Sequence, residues 1–176
     1  MRLNIKEILD CKLITIDPYV DSRGFFYESF NHKIAEIVGF RPVQENTSMS
    51  HKNVVRGLHI QHTPPAAKLV RVLSGRIQDV VVDCRKGISY GRHASVVLDH
   101  TMTGWFFVPE GYAHGFCALQ DNTVVNYYVS AMYNPLGEVS IDPYSIDLSI
   151  SWQVTKEESI QSDKDRNSVD FRDLKI

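Results

Sequence analysis

Several side chains that can transfer a proton or hold an anion occur inside strand-like runs of this sequence. The run Arg56–His62 contains an arginine and two histidines, and Lys68 opens the next run. His114 follows a turn, and Tyr127 lies in the last long run. A polar side chain that points into a barrel must find a partner there, so each of these residues is informative. Taken alone, each is most simply explained as a satisfied polar group.

Taken together, these residue types suit proton transfer beside a bound anion. Histidine is the natural base near neutral pH, and a carboxylate behind it fixes its tautomer. A lysine near the same centre would stabilise an oxyanion that forms on a carbonyl oxygen. A tyrosine on the opposite side could return a proton, and removal from one face with delivery to the other inverts a carbon centre next to a ketone. Such a reaction needs no cofactor, and we expect none.

Metal binding is the alternative use of the histidines, because His59, His62 and His114 supply three nitrogens. With a side-chain period of two, however, His59 and Gln61 share one face of a strand, while Arg56 and His62 share the other. A twist or bulge could bring Arg56 and His59 together. Since His59 and His62 point to opposite faces of a regular strand, we predict no metal site.

Phosphate binding would have to depend on side chains. The sequence contains neither a GxxxxGK[ST] loop nor a GxGxxG motif after a strand. Arginine and lysine side chains can hold a diphosphate instead. The candidates are Arg23, Arg56, Lys68 and Arg71, although surface ion pairs explain scattered basic residues equally well.

The elements that must position these residues are predicted to be short strands separated by turns. Crossover helices have no room between them, which excludes parallel βαβ units. One short helical pattern, Asn31–Gly39, ends at a glycine. We predict an all-β fold, an antiparallel jelly-roll barrel with short peripheral helices. The predicted strands are Lys12–Ile16, Gly24–Phe30, Val54–Gln61, Ala67–Ser74, Arg76–Cys84, His93–Leu98, Gly104–Pro109, Ala113–Leu119 and Thr123–Ala131.

Length and charge indicate one domain, residues 1–176, with no nucleic-acid or membrane surface. The formal net charge is −2, and no apolar run approaches the length of a spanning helix. The three cysteines show no CxxC spacing, which favours a reducing cytoplasm. The residues after Trp152 are polar and charged. They form either a frayed tail or a segment, 153–176, that folds back over the barrel mouth.

Seven motifs follow one another along most of the chain. They are Asp21–Phe30, Gln44–Ser48, Val55–Gln61, Lys68–Val72, Asp79–Asp83, Val108–Phe116 and Ser162–Asp165. In type and order they resemble the motifs of the dTDP-4-dehydrorhamnose 3,5-epimerase family, which belongs to the cupin superfamily. The resemblance implies a cupin-type barrel and an isomerase that inverts C3, C5 or both in a nucleotide-linked 4-keto-6-deoxy sugar.

The resemblance also implies roles for individual residues. His59 matches the base that removes the proton next to the keto group, and Asp165 matches the carboxylate paired with it. Tyr127 matches the proton donor, and Lys68 matches the lysine near the enolate oxygen. Tyr133 matches the aromatic residue that stacks on the nucleotide base. The positions that match substrate-holding residues are Arg23, Glu28, Gln44, Asn46, Arg56, His114, Glu138 and Lys164.

The partner implied by the resemblance is a second copy of the chain. In the family, the residues that match Arg23 and Glu28 come from the other subunit, so we expect a homodimer. The expected ligand is a nucleotide sugar, with a dTDP-linked hexose as the first candidate.

Three departures from the family pattern leave the substrate open. The segment between His59 and Lys68 is one residue shorter than usual and contains Pro65-Ala66-Ala67. Met132 stands where an aromatic often precedes the stacking tyrosine, and Trp152 is followed by glutamine rather than proline. A GDP-linked heptose therefore stays an alternative substrate. A metal-dependent cupin enzyme and a non-catalytic sugar-binding barrel are the alternative functions.

Overall fold

The computed structural model describes residues 2–176, which form mostly antiparallel strands. The strands are β1 (Leu3–Ile8), β2 (Cys11–Ile16), β3 (Tyr19–Asp21), β4 (Gly24–Phe26), β5 (Gln44–Ser50), β6 (Val55–Gln61), β7 (Lys68–Ser74), β8 (Arg76–Asp83), β9 (His93–Asp99), β10 (Gly104–Val108), β11 (Tyr112–Ala118), β12 (Thr123–Val129) and β13 (Glu138–Ser140). Two short helices, α1 (His32–Val38) and α2 (Asp163–Arg166), and a 3-10 turn, Phe171–Asp173, complete the elements.

Two sheets enclose the central core. One has the strand order β1-β2-β10-β7-β12-β5 and the other the order β13-β6-β11-β8-β9, while β3 and β4 form a separate hairpin. Val70 and Phe106 of the first sheet pack with Val81 and Phe116 of the second in one buried cluster. All pairings between these strands are antiparallel. The predicted all-β, cupin-like barrel with short peripheral helices is confirmed.

Further elements cover the outer face of each sheet, which is why several strands are apolar on both faces. Helix α1 packs Ile34 and Val38 against Trp105 on the six-stranded sheet. Its ends are where the sequence predicts them, since the Asn31 side chain caps the N-terminus and Gly39 closes the helix with φ 75°.

The segment after β4 is not a continuous strand, and the predicted strand Gly24–Phe30 is wrong beyond Phe26. The chain leaves the hairpin at that point and packs on the outer face of the six-stranded sheet. Phe30 lies edge-on to Trp105 there, and the Trp105 indole donates a hydrogen bond to the Ser29 carbonyl. These tertiary contacts override the local preference of aromatic residues for a strand.

The last part of the chain lies against the five-stranded sheet. We call residues 153–176 the C-terminal strap. Two parallel bridges, Val54 to Ile160 and Ile141 to Val169, attach it on either side of α2. Phe171 is buried in the cluster that covers the outer face of this sheet. No helix among residues 2–176 is both long and apolar enough to cross a bilayer.

Candidate active site

One cleft between the two sheets contains most of the predicted site residues. It consists of two adjoining cavities of about 250 and 210 Å³, which share His59, Lys68 and Tyr127. We call the larger the Tyr133 lobe and the smaller the Arg56 lobe. The Tyr133 lobe is also lined by Gln44, Asn46, Gln61, Ala66, Val129, Ala131, Tyr133 and Glu138. The Arg56 lobe is also lined by Ser48, Arg56, His114, Gly115, Phe116, Ser162, Lys164 and Asp165.

His59 and Asp165 form a histidine–carboxylate pair although they are 106 positions apart in the sequence. The distance from His59 Nε2 to Asp165 Oδ1 is 2.6 Å, and Asp165 is only 5% exposed. Burial raises the pKa of Asp165, but hydrogen bonds from His59, Ser162 and the Gly57 amide outweigh burial and lower it. The carboxylate is therefore ionised, and Nε2 must carry the proton that it accepts. In the neutral ring Nδ1 is then the free base.

The C-terminal strap delivers the carboxylate to this pair. The Ser162 hydroxyl accepts a hydrogen bond from the Asp165 amide and thereby caps α2. The backbone on the N-terminal side is held by Val55, whose amide donates to the Ile160 carbonyl. On the other side the Val169 amide donates to the Ser140 carbonyl. Both anchors belong to the sheet that contains β6 and His59, so the same sheet positions both members of the pair.

Lys68 lies at the start of β7, at the junction of the two lobes. Its ammonium donates to the His59 carbonyl at 3.4 Å. Burial lowers the pKa of Lys68 to about 8, although the nearby charges of Glu138 and Asp79 oppose that change. A desolvated ammonium group with few partners is suited to stabilise a developing negative charge.

Tyr127 faces the cleft from the other sheet. It belongs to β12 of the six-stranded sheet, whereas His59 belongs to β6 of the five-stranded sheet. Burial raises the pKa of Tyr127, with a further contribution from Glu138. The phenol is therefore protonated over the physiological range and can act as an acid.

Arg56 and His59 line the same lobe, so the strict alternation expected along β6 is wrong between them. The pairing of β11 with β6 shifts register between His114 and Phe116, opposite this segment. Gly57 has φ 104°, and a Cβ there would lie 2.7 Å from the His114 carbonyl oxygen. Only glycine allows a left-handed conformation with this close approach of two backbones. The conformation at Gly57 interrupts the alternation of side chains along β6.

The side chain of Arg56 is fixed by β5, because it donates to Ser50 Oγ at 3.0 Å and to the Met49 carbonyl at 3.2 Å. His114 forms a second buried histidine–carboxylate pair at the inner end of the cleft. Its Nε2 lies 2.9 Å from Asp79 Oδ2. The Arg56 lobe thus has a fixed guanidinium that suits an anionic group and an imidazole of fixed orientation.

Tyr133 lies at the outer rim, where two glutamines fix the backbone. The Tyr133 amide donates to Gln44 Oε1 at 3.1 Å, and the amide of the next residue, Asn134, donates to Gln61 Oε1 at 2.9 Å. The Tyr133 hydroxyl donates to Glu138 Oε2 at 3.3 Å, and Lys164 forms an ion pair with the same oxygen. This arrangement leaves the half-exposed ring available for stacking.

Two departures from the family pattern also belong to this rim. Gln61 Nε2 donates to the Pro64 carbonyl at 3.0 Å and to the Met132 carbonyl at 3.1 Å. Asn46 Oδ1 accepts from Gln44 Nε2 at 2.8 Å. The shortened segment and Met132 therefore shape the Tyr133 lobe and leave the His59 pair untouched.

Three predicted phosphate or substrate residues lie outside the cleft. Arg23 is on the exposed β3–β4 hairpin, paired with Asp21, and Glu28 accepts a hydrogen bond from Asn31. Arg71 is a wrong candidate for phosphate binding, because its guanidinium stacks 4.5 Å from the Trp105 ring centroid on the other face of the sheet. It follows Lys68 by three positions, and an odd spacing reverses the face.

The histidines do not converge on a common point. His59 and His114 each bond a carboxylate, and His62 Nδ1 lies 2.9 Å from Thr63 Oγ1. Within residues 2–176 the structure contains no group of three or more His, Cys, Asp or Glu side chains arranged to hold a metal ion.

Sequence reasoning missed four residues that line the Arg56 lobe. They are Ser48, Gly115, Phe116 and Ser162. Ser48 Oγ is buried without a hydrogen-bond partner among the described residues. Because side chains alternate along a strand, Ser48 shares a face with the predicted residues Gln44 and Asn46, and this spacing is the signal that could have identified it. Gly115 and Phe116 stand next to the predicted His114, and Ser162 opens the motif of Asp165.

Comparison with known proteins identifies the family of this chain. The sequence profile of the dTDP-4-dehydrorhamnose 3,5-epimerase family matches residues 5–173. The dTDP-4-dehydrorhamnose 3,5-epimerase of Methanothermobacter thermautotrophicus is 43% identical, over 96% of this chain and 94% of its own. A crystal structure of dTDP-6-deoxy-D-glucose-3,5-epimerase from Legionella pneumophila, in complex with dTDP-4-keto-L-rhamnose, superposes with a TM-score of 0.92. It is 36% identical, and the match covers 99% of this chain and 95% of that one.

A more distant relative has a narrower described activity. The 3'-monoepimerase ChmJ of Streptomyces bikiniensis, in complex with dTDP-quinovose, is 29% identical with a TM-score of 0.81. That match covers 89% of this chain and 81% of the other.

Fold and cleft together define an enzyme of the isomerase class on a cupin-like barrel. The similarity extends over nearly the whole length of each of the first two relatives. The chain belongs to the dTDP-4-dehydrorhamnose 3,5-epimerase family.

Proposed function

We propose that this enzyme inverts C3 and C5 of a dTDP-linked 4-keto-6-deoxyhexose. The observation that supports this best is the position of a base and an acid on opposite walls of one cleft. His59 comes from the five-stranded sheet and Tyr127 from the six-stranded sheet, with Lys68 at the junction of the two lobes. A sugar ring between them would have one face toward each group.

The first step is removal of a proton from the carbon next to the ketone. His59 Nδ1 takes the proton, and the C–H electron pair moves into the enolate. The imidazolium that forms is stabilised by Asp165, 2.6 Å from Nε2. The negative charge that develops on the keto oxygen is stabilised by the ammonium of Lys68.

The second step returns a proton to the opposite face. The Tyr127 hydroxyl gives its proton to the enolate carbon, which restores the ketone and leaves that centre inverted. The phenolate and the imidazolium then exchange protons with solvent, which resets the site. The chemistry uses side chains only, and we propose that no metal and no cofactor takes part.

The two lobes divide the substrate between them. We assign the nucleotide base of the substrate to the Tyr133 lobe, where the exposed ring of Tyr133 offers a stacking surface. Gln44, Asn46, Glu138 and Lys164 supply hydrogen-bonding groups around it. We assign the phosphate and sugar groups to the Arg56 lobe, where the guanidinium of Arg56 supplies fixed donors and His114 lines the wall.

Solvent deuterium incorporation tests the function. The enzyme is incubated in heavy water with dTDP-, GDP- and CDP-linked 4-keto-6-deoxy sugars, and the product masses and configurations are measured. Two deuterons on the dTDP sugar, with both centres inverted, are expected. One deuteron would indicate a single-centre enzyme, like the 3'-monoepimerase relative. No deuterium on the dTDP sugar would refute the proposal. A His59→Ala variant should lose nearly all exchange, because it lacks the base.

We further propose that the enzyme is a homodimer in which the β3–β4 hairpin reaches the partner's cleft. In this hairpin the side chains of Phe25 and Phe26 are each 65% exposed. Adjacent exposed aromatic side chains are unfavourable in water, and an isolated two-stranded hairpin is only marginally stable. Arg23 and Glu28 lie on or beside it, outside this chain's own cleft. Burial of the aromatic side chains against a second copy would bring both residues to a site.

Hybrid dimers test this arrangement. A His59→Ala chain and an Arg23→Ala chain are each expected to have little activity alone. Mixed after reversible dissociation, they should regain about a quarter of wild-type turnover if half the dimers are hybrids with one complete site each. Absence of recovery in dimers shown to be mixed would refute exchange of the hairpin.

All three cysteines are free and buried, which suits a reducing compartment, and we assign the enzyme to the cytoplasm.

A further inference from the structure

The carboxylate of Asp165 receives more hydrogen bonds than its pairing with His59 requires. One oxygen, Oδ1, accepts from His59 Nε2 at 2.6 Å. The other, Oδ2, accepts from the Ser162 hydroxyl at 2.9 Å. The Gly57 amide is a third donor to this carboxylate. Each oxygen therefore has its own direction, and the plane of the carboxylate is fixed relative to the imidazole.

Ser162 is connected to Asp165 in two ways. As the cap of α2, its oxygen accepts a hydrogen bond from the Asp165 amide at 3.1 Å. The proton of the same hydroxyl is directed to the Asp165 side chain. A capping serine usually acts only as an acceptor for the helix. Here it also holds the carboxylate that faces the base, and it lines the Arg56 lobe itself.

We propose that Ser162 is a positioning residue for proton abstraction: its hydroxyl orients Asp165 toward His59 and limits how strongly that carboxylate attracts the imidazolium proton. The catalytic part of this inference rests on the proposed function, whereas the effect on the His59 ring does not. The hydroxyl shares the negative charge of the carboxylate. Without it, more of that charge acts on His59, and the imidazolium persists to higher pH.

Other ionisable groups face the same pair from the surrounding elements. Asp79 lies behind His114, and Glu138 lies in the neighbouring lobe. The groups that line the Arg56 lobe are Arg56 of β6, Lys68 of β7, His114 of β11, Tyr127 of β12 and Lys164 of α2. All are common to the wild type and a Ser162 variant, so a difference between the two reports the hydroxyl.

The test compares three single variants with the wild type. Ser162→Ala removes the hydroxyl, and Ser162→Thr restores one at the same position. Ser168→Ala is the matched control, because Ser168 Oγ bonds the backbone carbonyl of Asp165 at 2.6 Å rather than its carboxylate. The titration of the His59 ring is followed by NMR in the ligand-free proteins, with the signal assigned from a His59→Asn spectrum.

Ser162→Ala is expected to move the midpoint of the His59 titration upward by about 0.5 to 1 pH unit. Ser162→Thr and Ser168→Ala should titrate as the wild type does. The acid limb of kcat/KM for deuterium exchange should move by the same amount, which costs about three- to tenfold in rate below the limb and little above it. A merely structural role would reduce the rate equally at all pH values.

An unchanged or lowered midpoint in Ser162→Ala would overturn the inference, as would the same upward movement in Ser168→Ala. The NMR titration needs no substrate, so its result is independent of whether the wild type turns over the dTDP sugar. Absence of exchange by the wild type would refute the proposed function alone.

Discussion

Lys68 should set the alkaline limit of the reaction. Burial lowers the pKa of its ammonium from 10.5 to about 8. If the charged form stabilises the enolate oxygen, kcat/KM falls as Lys68 loses its proton. The active fraction is then about nine-tenths at pH 7, one-half at pH 8 and one-tenth at pH 9. Tyr127, whose pKa is raised, keeps its proton over this interval.

The assay is the pH profile of kcat/KM for deuterium exchange, which reports groups of the free enzyme. We expect a decline of about tenfold per pH unit above pH 8 in the wild type. Lys68→Arg should move this limb beyond pH 10, because a guanidinium stays charged. The maximal kcat/KM of this variant should be lower than that of the wild type, because the planar guanidinium differs in shape from an ammonium group. Lys68→Met should lose about 10² to 10³ in kcat at pH 7.

Lys12→Arg is the matched control for this experiment. The Lys12 ammonium also donates to a backbone carbonyl, that of Ile37 at 3.3 Å, but it lies outside the cleft. Its substitution should leave the alkaline limb in place. The reasoning is wrong if the wild type shows no decline between pH 8 and pH 10, or if Lys68→Arg keeps the wild-type limb.

Three shorter predictions address acid catalysis, nucleotide binding and stability. Tyr127→Phe should incorporate deuterium without inversion, seen by mass and NMR together, because His59 still exchanges the proton on its own face; normal inversion would assign another acid. Gln61→Met should weaken dTDP binding about tenfold by calorimetry, since it releases the backbone beside Tyr133, and unchanged affinity would contradict this. Burial raises the pKa of Asp83, but hydrogen bonds from Arg85 outweigh burial and lower it to about 2. Asp83→Asn should therefore reduce the free energy of unfolding, measured by urea denaturation at pH 7, by about 2 kcal/mol. That loss should shrink as pH falls from about 4 to 2, where the wild-type carboxylate is protonated; a constant difference would refute it.

Nine of the thirteen strands in residues 2–176 were predictable because each follows from a local pattern, whereas β1, β3, β5 and β13 were not among the predicted strands. Every residue of β11 is buried, as is every residue of β8 after Arg76, and turns separate such runs. Helix α1 was equally local, since an asparagine and a glycine mark its ends. The segment after Phe26 was not predictable, because its course depends on Trp105, which lies far along the chain.

The site was predictable only in part from the residues themselves. A regular strand period separates Arg56 from His59, and the left-handed backbone at Gly57 that unites them is invisible in the pattern. Asp165 sits in a polar stretch with no periodicity, so only the family resemblance connected it to His59. Arg71 was misplaced because composition identifies a basic residue without its face.

Because Asp165 is attached through the strap, heating should inactivate the enzyme at a lower temperature than it unfolds the barrel. The strands of the barrel are joined by hydrogen-bonded ladders, whereas the strap is held by two isolated bridges, by the packing of Val154 and Phe171 in two clusters, and by ion pairs such as that of Lys164 with Glu138. Segments with fewer contacts open at a lower free energy than the whole fold. Opening of the strap would remove the carboxylate from His59 while both sheets stay intact. Loss of turnover on heating then measures a local equilibrium, and it precedes the melting of the barrel that circular dichroism detects.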